Sequence, residues 1–355
     1  MRFKPHAALV GFIAICAAAC STMSGTGDGA SKSRVATAGK TLVPDATWNS
    51  GMPDGIPVPE KGTLVLTAEV ALDHVYNVGK TPFGQRVVTV TQEGTMTGPK
   101  IQAKVLPGGL DFNLELSNGV EEVEQILVLQ TSDNNYAIMR NVGTGASAND
   151  VRVVYDFEAP KDGEFAWLNS GKYVGRRSID AATKKMTLSI YEVSGVAIDA
   201  SQVAKIQKPT DKPPQPWDFR KPGATEERGE TILNEGVALG RSQAIRNGKN
   251  GNRNVIPITG GTIEGIVSGK VLFGGADYQS PTTGPAIDAR YLWQTTDGQV
   301  IIVRNAGPFN ALIPTFETNV DGKFSWLNSG KYASSPPGGG KCSNPGLCIA
   351  MYKIK

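Results

Sequence analysis

Asp288 and Arg290 stand two residues apart in Asp-Ala-Arg-Tyr-Leu-Trp, inside a run that reads as a β-strand. Alternate strand residues share a face, so a carboxylate and a guanidinium lie side by side. Leu292 and Gln294 continue that face, and Ala289, Tyr291 and Trp293 make the other. If the Asp288/Arg290 face lines an interior, the pair supplies a general base and a bidentate holder for a carboxylate or phenolate. Arg304 and Arg253 could join it, and Asp277, after a double glycine, falls where a strand end meets a cavity mouth. The catalytic candidates are therefore Asp288, Arg290 and Asp277, and the ligand-binding candidates are Arg253, Asp277, Arg290, Arg304 and Trp293. The alternative is structural: a surface Asp288–Arg290 pair, a turn cap at Asp277, and hairpin-end hydrogen bonds from Arg304 and Asn305.

What is missing narrows the chemistry. There is no HExxH, no His/Cys cluster for zinc, and no GxGxxG between a strand and a helix. The sequence calls for neither a metal nor a cofactor. Beyond the N-terminal segment the only histidine is His74, and Arg241 occupies its place in the second of the two repeats described below. A Ser-His-Asp triad there would need His74 to reach across, and His74 reads as a surface or loop residue.

These residues belong to a duplicated unit. Trp-Leu-Asn-Ser-Gly-Lys-Tyr occurs at Trp167–Tyr173 and again at Trp326–Tyr332. Upstream blocks match in the same order: Arg86 with Arg253 at an offset of 167, KVLPGGLDF with KVLFGGADY at 166, and LQTSDNNYAIMRNVG with WQTTDGQVIIVRNAG at 164. A spacing that drifts only between blocks is tandem duplication with length changes in loops. Trp326 and Asn328 read as structural, an anchoring indole and an Asn-locked turn.

Each copy reads as β. Leu64–Val70, Val87–Thr91, Ile101–Leu106, Gln125–Thr131, Asn135–Arg140 and Met186–Val193 are strands in the first copy. In the second they are Val255–Thr259, Gly269–Phe273, Ala289–Thr295, Gln299–Arg304 and Cys348–Ile354. Pro257 suits an edge or a bulge, and Asp297-Gly298 a hairpin turn. Only Asn234–Asn247 has a helical look, weakened by Gly236 and Gly240. The fold class is all-β: two tandem antiparallel β-barrels joined by a Pro-rich linker. The expected boundaries are a signal segment over 1–19, a tether over 20–61, the first repeat over 62–196, a linker over 197–223 and the second repeat over 224–355. Trp217 and Phe219 in the linker are expected to pack on a barrel.

The first residues read as targeting. Arg2 and Lys4 precede an apolar Ala7–Ala19, followed by Cys20. Small residues before that cysteine resemble a bacterial lipobox, which makes Cys20 the lipidated residue and Ser21 an outer-membrane signal. The other reading is an ordinary cleaved signal peptide. Loss of Arg2 and Lys4 takes the formal charge from +3 to +1, which gives no electrostatic case for nucleic acid. The expected partners are the membrane, through the lipid, and a small molecule. In an oxidising periplasm Cys342 and Cys348, flanking the turn former Asn344-Pro-Gly346, read as a disulfide.

The second repeat resembles the family called domain of unknown function 3237. The residues that carry the likeness are Gly261-Thr-Ile-Glu-Gly265, Gly274-Gly-Ala-Asp-Tyr278, Asp288-Ala-Arg-Tyr291, Thr295-Thr-Asp-Gly298, Val303-Arg-Asn-Ala-Gly307, Thr315-Phe-Glu-Thr318 and Trp326-Leu-Asn328. The resemblance implies antiparallel β-barrels, no single established activity, and relatives implicated in cofactor-free steps on phenolic or polyketide-like molecules. The first repeat departs from the pattern: Glu124-Gln125-Ile126 replaces Asp288-Ala289-Arg290. Two functions follow as expectations. One is a lipid-tethered double barrel that binds a small amphipathic or phenolic ligand. The other is a cofactor-free lyase, isomerase or cyclase using Asp288 and Arg290 on an aromatic acid.

Overall fold

The computed structural model describes residues 55–145, 151–197, 199–204, 226–280, 286–344 and 346–355. The segment ending at Cys20, most of the expected tether, and Lys205–Gly223 with Trp217 and Phe219 lie outside the described residues.

The first repeat holds β1 (Thr63–Thr81), β2 (Gly84–Gly98), β3 (Ile101–Glu115), β4 (Glu121–Thr131), β5 (Tyr136–Gly145), β6 (Arg152–Glu158), β7 (Tyr173–Asp180) and β8 (Lys185–Glu192). Each strand pairs with the next, and β8 returns to β1, so the barrel closes and leaves no free edge. β1 and β8 part company beyond Ala71, while β1 stays paired with β2 to Thr81. That divergence opens one end. Leu66, Ala68, Val70, Leu127, Leu129, Met139, Val153 and Phe157 fill the interior as alternating residues of their strands. Outside the strands, Ile56 is buried and pairs with Ala204, so packing reaches a few residues beyond the expected boundaries.

The second repeat holds β9 (Arg228–Leu239), β10 (Gln243–Gly248), β11 (Gly251–Gly265), β12 (Gly269–Val271), β13 (Ala276–Ser280), β14 (Ala286–Thr295), β15 (Val300–Pro308), β16 (Ile313–Thr318), β17 (Tyr332–Ser334) and β18 (Leu347–Ile354). Its sheet runs from β16 to β17 without a ladder joining them. At the residue just before β16, Leu312 O accepts from the Ser334 N–H at 3.0 Å across that seam. The first barrel is thus closed, and the second is a curled ten-stranded sheet.

Three sequence readings are corrected here. Asn234–Asn247 is not helical: it forms much of β9 and β10, both paired with β11. β3 does not stop at Pro107 but passes through a register shift between Leu106 and Leu110. In the second repeat the same double-glycine position does interrupt the strand, between β12 and β13. Pro257 lies within a strand paired on both sides, at the point where β11 changes partner from β9 to β10. A residue without an N–H is tolerated there because the ladder is already broken.

The duplicated Trp-Leu-Asn turns do one job twice. Asn169 bridges the Ala159 backbone, accepting from its N–H at 2.8 Å and donating to its carbonyl at 2.9 Å. Asn328 does the same to Thr318, at 2.9 and 3.0 Å. The hydroxyls of Tyr173 and Tyr332 donate to Trp167 O and Trp326 O. Cys342 and Cys348 form the expected disulfide.

The repeats pack against each other with approximate two-fold symmetry. Arg86 of the first repeat grips Glu317 of the second, Nε to Oε1 at 2.8 Å and a terminal nitrogen to Oε2 at 3.1 Å. Its counterpart Arg253 grips Glu158 of the first, at 2.8 and 3.3 Å. Backbone bonds repeat the pattern: Val320 N–H donates to Lys80 O, and Lys161 N–H to Asn247 O. Two apolar clusters mix both repeats, one joining Val88, Leu110 and Phe112 to Leu292 and Ile302, the other joining Ile126 and Ile138 to Ile245 and Tyr278. Glycine permits this approach. Gly274 has φ +117°, and a Cβ there would meet Val90 at 2.8 Å, while Gly108 at φ +112° faces Pro257 at 3.3 Å.

Candidate functional site

The alternation of β14 settles which residues face inward. Ala289, Tyr291 and Trp293 belong to the interior cluster of the second repeat. Leu292 belongs to the cluster shared with the first. The Asp288/Arg290 face therefore points at the sister repeat, not into a lumen. Asp288 accepts from Arg304 Nε at 2.8 Å, and Arg290 donates to Glu124 of the first repeat at 2.6 Å. Burial pushes Asp288 up, but Arg290 and Arg304 outweigh it and hold the carboxyl below its ordinary value. Of the expected site residues, Asp288, Arg290, Arg304 and Arg253 are thus committed to the packing between repeats. Asp277 and Trp293 are inside the second repeat.

The second lumen carries two acids. Glu235 on β9 is fully buried, with Oε1 accepting from the Tyr291 hydroxyl and Oε2 from Trp293 Nε1 at 3.0 Å. Burial pushes it up to about 7, against the pull of those two hydrogen bonds and with help from the nearby Asp277 charge. Asp277 on β13 is pushed up to about 7 by burial alone. The sequence reading did not single out Glu235. The signal was a glutamate beside Val237-Ala-Leu239, at a position where the first repeat has Ala68.

The first lumen is open. A cavity of about 630 Å³ lies at the end where β1 leaves β8, lined by Leu72, His74, Val75, Tyr76, Val87, Thr89, Asp111, Asn113, Arg177, Ile179, Ala181 and Lys184. His74 stands exposed on β1, a strand rather than a loop, with its ring 5.9 Å from that of Tyr76. The floor is polar and organised. Arg177 grips Asp111 with two nitrogens, Nε at 3.2 Å. Gln125 donates to the same carboxylate at 3.3 Å, and Asn141 donates to Gln125 at 2.9 Å. The Tyr155 hydroxyl is buried there without a hydrogen-bond partner, and burial raises its pKa. Asn141 Oδ1 is likewise unsatisfied. Orphaned buried polar atoms beside a cavity are what a ligand's polar end would satisfy.

Among the described residues no group of three or more His, Cys, Asp or Glu side chains gathers as metal ligands would. No helix among them is long and apolar enough to cross a membrane.

The fold is a tandem pair of antiparallel β-units, the first a closed barrel with a cavity at one end and the second a curled sheet around two buried acids. The chain belongs to the family described as Protein of unknown function (DUF3237), whose profile matches residues 61–196 and 230–311. A UPF0311 protein of Bradyrhizobium diazoefficiens is 46% identical over 59 residues, which are 16% of this chain and 39% of that relative. The chain thus matches well under two thirds of that relative's length. Among solved structures, a conserved protein of unknown function from Rhodopseudomonas palustris is 21% identical with TM-score 0.33, covering 37% of this chain and 95% of that one. A beta-barrel like protein from Acinetobacter baumannii is 18% identical with TM-score 0.33, covering 37% and 94%.

Proposed function

We propose that this chain is a lipid-tethered envelope protein whose first repeat captures a small amphipathic anion, such as a phenolic acid, in its open mouth. The observation that carries the reading is the cavity of about 630 Å³ itself. Its size falls in the range that holds small ligands, roughly 300–1,000 Å³. Leu72, Tyr76, Val87 and Ile179 offer an apolar wall, and Arg177, Lys184 and His74 offer cationic or donor groups to an acidic head. Asp111 already neutralises much of Arg177, so the anion's added attraction comes from Lys184 and from a hydrogen bond to Asn113. The lipid tether rests on the sequence around Cys20.

Titration of the full chain with 4-hydroxyphenylacetate tests the pocket. Binding should weaken several-fold in Lys184→Glu and vanish in Val87→Trp, which fills the cavity. Unchanged affinity in both variants would sink the pocket. The tether is tested separately: Cys20→Ser should move the protein from the membrane fraction to the soluble fraction.

A further inference from the structure

Asp111 and Asp277 occupy one position in the two repeats. Asp111 is flanked across its ladders by Thr89 and Gln125. Asp277 is flanked by Ile256 and Ala289. These neighbours stand 167 and 164 residues apart, the offsets of the duplication itself.

Their surroundings have changed completely. Asp111 is held by Arg177 and Gln125. In the second repeat Gln125 is replaced by Ala289 and Thr89 by Ile256. Tyr173-Val-Gly-Arg-Arg177 aligns with Tyr332-Ala-Ser-Ser-Pro336, so Arg177 is replaced by Pro336. At these three positions each polar residue has been exchanged for one that cannot bond a carboxylate, yet the carboxyl remains, and a second acid, Glu235, stands nearby. Asp277 is 7% exposed and makes no hydrogen bond or ion pair to a described residue. A buried carboxylate without a partner is costly, and its natural complement is a cation.

We propose that the interior of the second repeat binds a small organic cation, a primary ammonium or guanidinium on an aromatic or aliphatic body. Its charged head takes against Asp277 the place that the Arg177 guanidinium holds against Asp111. Tyr291 and Trp293 provide ring faces for the cation and its body. Glu235 fixes both rings through the two hydrogen bonds it accepts. The Trp293 ring stacks in turn near Phe316, with centroids 5.2 Å apart. Burial pushes Asp277 up to about 7, and an ammonium against it lowers it again. This site differs from the anion pocket in place, charge and residues, so either can fail alone.

Isothermal titration of the full chain at pH 8 with tyramine, the neutral phenol 4-ethylphenol that lacks only its ammonium, and the anion 4-hydroxyphenylacetate tests it. Tyramine should bind at least tenfold more tightly than 4-ethylphenol. Asp277→Asn should lose at least tenfold in tyramine affinity and leave 4-hydroxyphenylacetate unaffected. Ala289→Gln, which restores the amide found beside Asp111, should weaken tyramine by a similar factor. Lys184→Glu should leave tyramine unchanged. Equal binding of tyramine and 4-ethylphenol, absence of tyramine binding at millimolar concentration, or full affinity in folded Asp277→Asn overturns the proposal. If either variant fails to fold, the wild-type comparison of tyramine with 4-ethylphenol decides alone.

Discussion

At one register position, the first repeat sets Asp111 against an arginine and an amide, and the second leaves Asp277 between Ile256 and Ala289 with a second acid, Glu235, nearby. The exteriors of the repeats are tied to each other, residue for matching residue: Arg86 to Glu317, Arg253 to Glu158. Duplication has therefore conserved the contact surface and released the interiors. Once two copies are covalently joined, each surface still needs its partner, while one interior can change without loss of the other.

The largest expected effect breaks the shared surface. Glu317→Ala strands Arg86, which is 4% exposed, and should destabilise by about 3–5 kcal/mol in urea unfolding. Glu158→Ala strands Arg253, which is 5% exposed, and should give a loss within about 1 kcal/mol of the first if the two sites are true counterparts. A large disparity would break the symmetry.

The next effect sharpens the contrast between interiors. Asp277 is raised from 3.8 to about 7 in the native state. Between those values the folded protein keeps a proton that the unfolded chain has released, so stability falls as pH rises, by roughly 4 kcal/mol at most. Glu235, raised from 4.5 to about 7, adds a slope of the same sign. Urea titrations from pH 4 to pH 8 should show Asp277→Asn losing its share of that slope. Arg177→Ala should destabilise by about 3–5 kcal/mol at neutral pH by leaving the buried Asp111 without its guanidinium.

Two smaller effects follow. Gly274→Ala combines a left-handed backbone with a clash against Val90, and should cost about 2–4 kcal/mol, partly recovered by Val90→Ala. Reduction of Cys342–Cys348, a loop of sequence separation 6, should cost about 2 kcal/mol, seen as a lower thermal midpoint on adding reductant. The first repeat's close, β8 against β1, carries no described disulfide, so local hydrogen exchange should rise near β17 and β18 and not near β7 and β8.

Strand content, the duplication, the hairpin turns and the disulfide pair were legible in the residues, because period-two alternation, turn chemistry and internal identity are local signals. The Asn169 and Asn328 turns were readable for the same reason. Asn234–Asn247 was not, because pairing with β11 overrides a weak local helical bias. Two decisions lay beyond sequence. Alternation along β14 divides Asp288 and Arg290 from Tyr291 and Trp293, but it does not say which set faces in. A polar set ordinarily faces water, yet here both faces are buried, one by the strand's own barrel and the other by the sister repeat. Likewise Asp111 and Asp277 look identical in the chain, and what each one does depends on side chains tens of residues away. The order of residues establishes two copies of one β-unit, and packing in three dimensions sets their charged faces together and makes their interiors differ, because charge is neutralised through space and not along the chain.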